Sequence, residues 1–282
     1  MILIDLNQVL LSGLMAQIAG QKNIKLEESL IRHMVLNILR SHVKQFRSEY
    51  GEVVLCCDNK KYWRKEFFPF YKAGRKKTRE KSDLDWHLIF DILGNLKREL
   101  KENFPYKVID VDGAEADDII GTLTPLYSSN EKVLILSSDG DFLQLQQYKN
   151  VKQYNPTQKK FVKSENPLLE LKEKIISGDK GDGIPNVLSQ ADCFVRDLRQ
   201  KPITKNKMQQ MLNEAYGDWE DENARIGFSR NQTLIDLRQI PDDIKNLIID
   251  TYNNTKPSPR SKLINYFMEK KLKNLMDVIE EF

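Results

Sequence analysis

Three apolar runs of strand length each close on an aspartate: Met1-Ile-Leu-Ile-Asp5, Val53-Val-Leu-Cys-Cys-Asp58, and Val133-Leu-Ile-Leu followed by Ser-Ser-Asp139. Runs this short and this apolar predict strands buried on both faces. Helical patterns separate them, and such alternation specifies an α/β fold with a mainly parallel sheet and right-handed crossovers. The carboxyl ends of strands in an open parallel sheet form the edge where ligands bind, so aspartates far apart in sequence become neighbours there. Aspartate after a strand also suits turns and helix N-caps. Repetition at three strand ends, together with the acidic helix start Ala114-Glu115-Ala116-Asp117-Asp118, turns that local preference into a candidate site.

The intervening elements follow from periodicity. Leu26 to Phe46 carries apolar residues at helical spacing, and Trp86, Ile89, Leu93, Leu96 and Leu100 form one face of a second long helix. A short strand is expected at Lys107 to Val111, and a helix opens at Glu115. After about Lys163 the strand signals fade. From Asn166 onward the chain reads as helices, among them Leu168 to Ser177, a Gly178-Asp-Lys-Gly-Asp-Gly183 turn, and a terminal stretch with Leu263, Phe267, Leu272, Leu275, Met276 and Ile279. The expected division is 1–165 as an α/β domain and 166–282 as a helical region.

Glu115 and Asp118 are spaced i, i+3 in the first turn of their helix, with Asp117 to one side; the helix dipole alone would favour acids there. In Ser137-Ser138-Asp139-Gly140-Asp141, the glycine permits a tight turn that aims both flanking carboxylates into one place. Carboxylates gathered at close range cannot all stay ionised without cations, which points to divalent metal. A calcium loop of the EF-hand type is excluded because Phe-Leu-Gln-Leu follows Asp141, without further ligands or a closing glutamate. Three cysteines, two of them adjacent within a strand, and three histidines without ligand spacing argue against a disulfide framework and against zinc.

The net charge of +3 over 282 residues conceals segregation. Lys60 to Lys81 holds ten Lys and Arg against Glu66 and Glu80, a net of +8, leaving the remainder at −5. Aromatics at 62, 63, 67, 68, 70 and 71 interleave with those cations. Cations neutralise phosphates while aromatic faces stack on unpaired bases, the combination of a single-strand channel; the competing reading is that the aromatics anchor the segment on the core. With 40% hydrophobic and 30% charged residues and no run of eighteen apolar residues, a cytoplasmic protein without membrane segments is expected.

Asp5 at the first strand end, Tyr71-Lys72 with Arg75, Ala114 to Asp118, Ser-Ser-Asp-Gly-Asp-Phe, and the Gly178 to Gly183 turn occur in an order that resembles the 5′ nuclease, or flap endonuclease, family, including its bacteriophage members. The resemblance spans nearly the whole chain. It implies a PIN-like nuclease domain, a basic arch at about 60–82 above the metals, and a helix-three-turn-helix element gripping duplex DNA. It also implies that Asp5, Asp58, Glu115, Asp117, Asp139, Asp141 and Asp182 hold two Mg²⁺ ions, with Mn²⁺ able to substitute, and that Asp118 and Asp179 support them. Lys72 and Arg75 would contact the scissile phosphate. Arg64, Tyr71, Lys76, Lys77, Arg79, Gly178, Lys180, Gly181 and Gly183 would complete the nucleic-acid surface. The implied activity is 5′ to 3′ exonucleolytic removal of RNA from RNA–DNA hybrids and cleavage of 5′-ended or flap duplex DNA, clearing primers during replication. A monomer is expected, meeting a sliding clamp and a single-strand DNA-binding protein. One departure stands out: the family's duplex-binding turn continues through a Gly-Ile-Gly type segment to a basic residue, whereas here Gly183-Ile-Pro-Asn-Val187 runs into Leu-Ser-Gln-Ala-Asp192.

Two other readings share some of these features. A PIN-type endoribonuclease would have the acidic pocket but usually neither the basic aromatic segment nor the Gly-Asp-Lys-Gly-Asp turn. A non-enzymatic, structure-specific DNA-binding protein would have lost acidic positions, and here every one is occupied.

Overall fold

The structure, a computed structural model, describes residues 1–18, 27–82 and 84–282. At its centre is a six-stranded sheet of β1 (Ile2–Asp5), β2 (Val53–Cys57), β3 (Lys107–Asp110), β4 (Val133–Leu136), β5 (Val151–Asn155) and β6 (Lys160–Val162), in the order β3-β2-β1-β4-β5-β6. All pairings are parallel except that of β6 with β5. The mainly parallel α/β sheet is therefore as expected, and the four anticipated strands lie within about a residue of their expected bounds. β5 and β6 were not anticipated: Lys152, Gln153 and Lys160 interrupt the apolar runs that mark buried strands.

β1 is the pivot. Ile4 lies opposite Leu55 of β2 on one side and Leu136 of β4 on the other. From β1 the chain winds outward through β2 to β3, and from β4 it winds the other way to β5. The winding reverses between β1 and β4, which leaves a crevice at their carboxyl ends. Asp5 ends β1, Asp58 follows β2 and Asp139 follows β4.

Alternation along the strands divides the core in two. Ile2, Ile4, Val53, Leu55, Cys57, Leu134 and Leu136 face one side, against α1 (Leu6–Ile18), α2 (Glu28–Tyr50) and the helix Trp86–Asn103. Leu3, Val54, Cys56, Val133 and Ile135 face the other, against the helix Ala116–Tyr127. α2 runs past the expected Phe46 to Tyr50 and stops at Gly51, whose φ of +79° ends the helix at no steric cost; Leu26 lies outside the described residues. α1 was not anticipated, since Val9, Leu10, Leu11, Leu14 and Met15 spread around the helix and leave no clean polar face.

The basic segment forms α3 (Trp63–Phe67) and α4 (Gly74–Glu80). Beyond it lie α5 (Trp86–Asn103), opened by Asp85 accepting from Leu88 N at 3.0 Å, and α6 (Ala116–Tyr127). A third core joins α7 (Pro167–Ser177), α8 (Lys205–Asn213) and α9 (Glu222–Ile235), and takes in Phe68 and Tyr71 from the basic segment. After α9 the chain returns to the sheet. Leu237, Ile240 and, from α10 (Asp242–Asn254), Ile248 join one face; Leu263, Phe267 and Leu275 of α11 (Ser261–Glu269) and α12 (Lys273–Met276), with Phe282, join the other. The change at about residue 165 is thus a change of element type, while both sheet faces are completed by residues after 236.

Candidate active site

The carboxyl edge of the sheet collects the acidic side chains. Asp5, 5% exposed, accepts from Gln8 N at 3.3 Å and from Ser137 Oγ at 3.0 Å. Asp58 accepts from the first amide of α6, Ala116 N, at 2.9 Å and from Asn7 Nδ2 at 3.0 Å. Asp139 accepts from Asp141 N at 2.9 Å, the tight turn expected around Gly140. Asp182 reaches the edge from the turn after α7, where Asp179 Oδ1 accepts from Asp182 N at 3.1 Å.

Cations from two other elements interleave with these acids. Lys72 Nζ donates to Glu115 Oε1 at 2.5 Å and lies 3.9 Å from Asp182 Oδ2, while Arg75 pairs with Asp182. Tyr71 Oη bridges Asp182 at 3.0 Å and Glu115 at 3.2 Å. Lys174 of α7 pairs with Asp141 and, at 3.0 Å, with Asp179. Lys72 N also donates to Asp182 O at 2.7 Å, so the basic segment and the turn are joined through backbone as well as side chains. Lys72 has φ +56°, a strained value for a non-glycine residue, of the kind that concentrates where function demands it.

The electrostatics are those of a site short of positive charge. Burial, then Asp58 and Asp139, push the Asp5 carboxyl up to about 7 against the opposing Gln8 and Ser137 hydrogen bonds. Asp117 is driven well above the usual carboxylate range by burial and by Asp139, Asp5 and Glu115, with Lys72 opposing. Burial also raises Glu115 and Asp139. Burial opposes the shift at Asp179, yet Lys174 and the Asp182 and Gly181 amides hold that carboxyl below its ordinary range. Among the described residues no group of three His, Cys, Asp or Glu forms a ready-made metal cage. The donor set nonetheless suits a hard divalent cation: it is all oxygen, its members repel one another, and the lysine ammoniums lying on it show that positive charge is accommodated there.

Comparison with known proteins gives this geometry its context. Residues 1–177 match the 5′-3′ exonuclease, N-terminal resolvase-like domain, and residues 165–282 match the T4 RNase H C-terminal region. The chain is 37% identical over 294 residues to the ribonuclease H of Enterobacteria phage T4, covering 99% of this chain and 95% of that protein. The chain belongs to the 5′-3′ exonuclease family. A flap endonuclease, Xni, of Shewanella woodyi is 31% identical over 58% of this chain and 62% of its own length. The fold resembles the zinc-bound 5′-exonuclease of phage T5 with a TM-score of 0.61 at 16% identity, covering 91% of this chain and 99% of that one. It also resembles the T5 flap endonuclease in a complex with DNA and metal ions, with a TM-score of 0.59 over 89% and 97% of the two chains. The protein is accordingly an enzyme, a nuclease of the 5′-3′ exonuclease family.

Within this family frame several expected residues need correction. Arg64 is 2% exposed, donating to Asp118 at 2.7 Å, Glu115 at 3.2 Å and the Leu234 carbonyl at 2.9 Å, so it is a buried ion-pair partner and does not offer itself to nucleic acid. Asp118 is fully buried beside Glu115, its oxygens taken by Arg64, Trp63 Nε1 and Glu115 N, so it is committed to the protein's own hydrogen bonds. Tyr71 is buried beneath Glu115 and Asp182, and Phe68 beneath α7 and α9. Of the six interleaved aromatics only Phe67 is largely exposed, so the segment is anchored on the core. At Gly178 (φ +70°) a Cβ would meet Ile184 O at 2.4 Å, and at Gly183 (φ +73°) it would meet Phe70 O at 2.9 Å. These two glycines therefore serve the protein's own backbone; Gly181 and Lys180 remain exposed.

Lys76 and Lys77 are exposed on α4, and Arg79 lies over the Phe90 ring at 5.4 Å. Sequence reasoning missed Asn7, Gln8, Ser137 and Lys174. Lys174 carried one signal, a basic residue in the last turn of the helix before an acidic turn.

Proposed function

We propose that this 5′ nuclease uses two Mg²⁺ ions, replaceable by Mn²⁺, to hydrolyse phosphodiesters from the 5′ end of RNA in RNA–DNA hybrids and of duplex or flap DNA, clearing RNA primers from lagging-strand fragments. The carrying observation is the convergence of Asp5, Asp58, Glu115, Asp139 and Asp182 from separate segments at one sheet edge, faced by Lys72 and Arg75. Asp5, Asp58, Glu115, Asp117, Asp139, Asp141 and Asp182 would hold the ions, with Asp179 held ready by Lys174. When bound, the ions would ease deprotonation of the attacking water and neutralise charge on the leaving oxygen.

The chain's own residues do the rest. Lys72 and Arg75 would exchange their carboxylate partners for the scissile phosphate, where fixed cations stabilise developing charge. Lys76, Lys77 and Arg79 would neutralise the phosphates of the 5′ strand. Gly181 and Lys180 would hold the duplex backbone through the turn, a mode that reads no sequence. Asn7 and Ser137 would keep Asp58 and Asp5 aimed at the crevice. No nucleophilic side chain is needed, and the chain would act as a monomer beside a sliding clamp and a single-strand DNA-binding protein.

The test is digestion of 5′-labelled RNA–DNA hybrid and of flap DNA with and without Mg²⁺. Short 5′ products from hybrid and flap, only with Mg²⁺, are expected. Internal cuts in single-stranded RNA would favour a PIN-type endoribonuclease, and binding without any cleavage would favour a DNA-binding protein.

A further inference from the structure

The polar residues that interrupt β5 meet the acidic edge from the side. Gln153, only 1% exposed, lies beside Ile135 of β4 in the parallel register, and its side chain reaches past the end of that strand. There Gln153 Nε2 donates to Ser137 O at 3.1 Å and to Asp139 O at 2.6 Å. Both carbonyls belong to the turn that carries Asp139 and Asp141. Gln153 Oε1 is buried and has no hydrogen-bond partner among the described residues. A buried amide with its acceptor unused is destabilising, whereas an apolar side chain of similar size would sit comfortably beside Ile135. What the donor holds therefore explains the glutamine better than stability does.

The other bonds on this turn act elsewhere. Gln8 Oε1 accepts from Ser138 N at 3.0 Å, Asp139 Oδ1 accepts from Asp141 N at 2.9 Å, and Gln144 Nε2 donates to Asp141 O at 2.8 Å. Among the described residues no other side chain donates to the Ser137 or Asp139 carbonyl, so the Gln153 amide fixes the peptide planes from which both carboxylates depart. Rotation of either plane would swing the carboxylates relative to Asp5 across the crevice. Mg²⁺ accepts oxygens only near octahedral geometry at about 2.0–2.1 Å, while Ca²⁺ takes six to eight at about 2.3–2.6 Å in flexible arrangements. A turn held still thus favours the smaller ion.

We propose that Gln153 is a positioning residue which, by holding the Ser137 and Asp139 carbonyls, sets the Asp139 and Asp141 carboxylates for Mg²⁺ and against Ca²⁺. This rests on the metal-dependent nuclease reading. The side chain acts through the backbone of the turn and touches neither ion nor substrate. Groups that orient metal-binding side chains in this way govern affinity without being ligands.

The test titrates the full chain, freed of metal and without nucleic acid, with Mg²⁺ and separately with Ca²⁺ in a calorimeter, and records the metal-free Tm. Gln153→Met removes the donor at nearly constant volume, and Gln153→Asn keeps an amide but withdraws it by one methylene. Gln147→Met is the control: Gln147 Nε2 donates to Gln144 O at 2.9 Å at the far end of the 3₁₀ helix Gly140–Gln147, so a comparable bond is lost away from the turn. Both Gln153 variants should fold with a metal-free Tm within a few degrees of wild type. They should bind Mg²⁺ about tenfold more weakly and Ca²⁺ within about threefold of wild type, while Gln147→Met matches wild type for both ions. A folded Gln153 variant with unchanged Mg²⁺ affinity, or with both ions weakened by the same factor, overturns the assignment. So does a loss of folding in both variants, which would make the amide a requirement of the fold alone. If wild type itself binds neither ion, the metal-dependent reading fails and the role of Gln153 falls with it.

Discussion

Asp5 illustrates how the candidate site couples to pH. Its folded carboxyl is pushed up to about 7 from 3.8, so between roughly pH 4 and 7 the folded chain binds more protons than the unfolded one. Stability attributable to Asp5 is therefore full below pH 4 and is lost as pH rises toward 7; Asp117, Asp139 and Glu115 are raised in the same direction. Lowered groups such as Asp179 act in the opposite sense, but below the ordinary carboxylate range. Without divalent ions the Tm should fall between pH 5 and 7.5, and Mg²⁺ should restore it most at the upper end, since cations bind the deprotonated carboxylates. A metal-free Tm that is flat across this window, followed by differential scanning fluorimetry, would contradict the account. At Arg64 the expected effect is on stability. Arg64→Met strands the buried Glu115 and Asp118 carboxylates and should cost about 3–5 kcal/mol in urea unfolding. Both residues show why roles were only partly legible: sequence displays the charge of Arg64 and Asp118 but not that they face each other inside the protein.

At the scale of elements, what could be read depended on contrast. β1, β2 and β4 announced themselves through unbroken apolar runs closing on acids, and the Gly140 turn through its two flanking aspartates. β5 and β6 could not: β6 is an edge strand that tolerates its lysine, and β5 beside it carries an exposed Lys152 and a Gln153 that is buried because its amide donates to Ser137 O and Asp139 O. The basic segment was visible as charge, yet its aromatics turned inward, since burying large rings outweighs displaying them. Its cations should divide by position. Lys72→Ala should slow single-turnover cleavage about a hundredfold with little change in affinity, the scale expected when one donor to developing charge is lost. Joint neutralisation of Lys76, Lys77 and Arg79 should instead weaken binding and flatten its salt slope. If Lys72→Ala altered only affinity, its assignment to the scissile phosphate would be wrong.

The whole molecule closes on itself in a way that local patterns did not reveal. The helical character of the region after 166 was legible, but not that its last helices return to cover both faces of the sheet, because contacts between residues so far apart leave no periodic trace. Phe267 and Phe282 are fully buried against Phe104, and the Phe282 carbonyl accepts from Arg47 at 2.8 Å. Phe267→Ala should therefore cost about 3–5 kcal/mol, and a fragment ending near Lys163, stripped of the residues after 236 that complete both sheet faces, should show no cooperative unfolding transition by calorimetry. None of the described helices is long and apolar enough to cross a membrane.

Under the proposed function, the acids of the sheet edge hold catalytic metal. Single-turnover cleavage of a 5′-labelled RNA–DNA hybrid across a Mg²⁺ titration, for wild type and Asp117→Asn with binding measured on the same preparations, tests it most directly. The wild-type rate should rise with Mg²⁺ and vanish on chelation, and the variant should bind within about threefold of wild type yet cleave at least about a hundredfold more slowly. Cleavage that persists after chelation, or Asp117→Asn cutting at the wild-type rate, would contradict it.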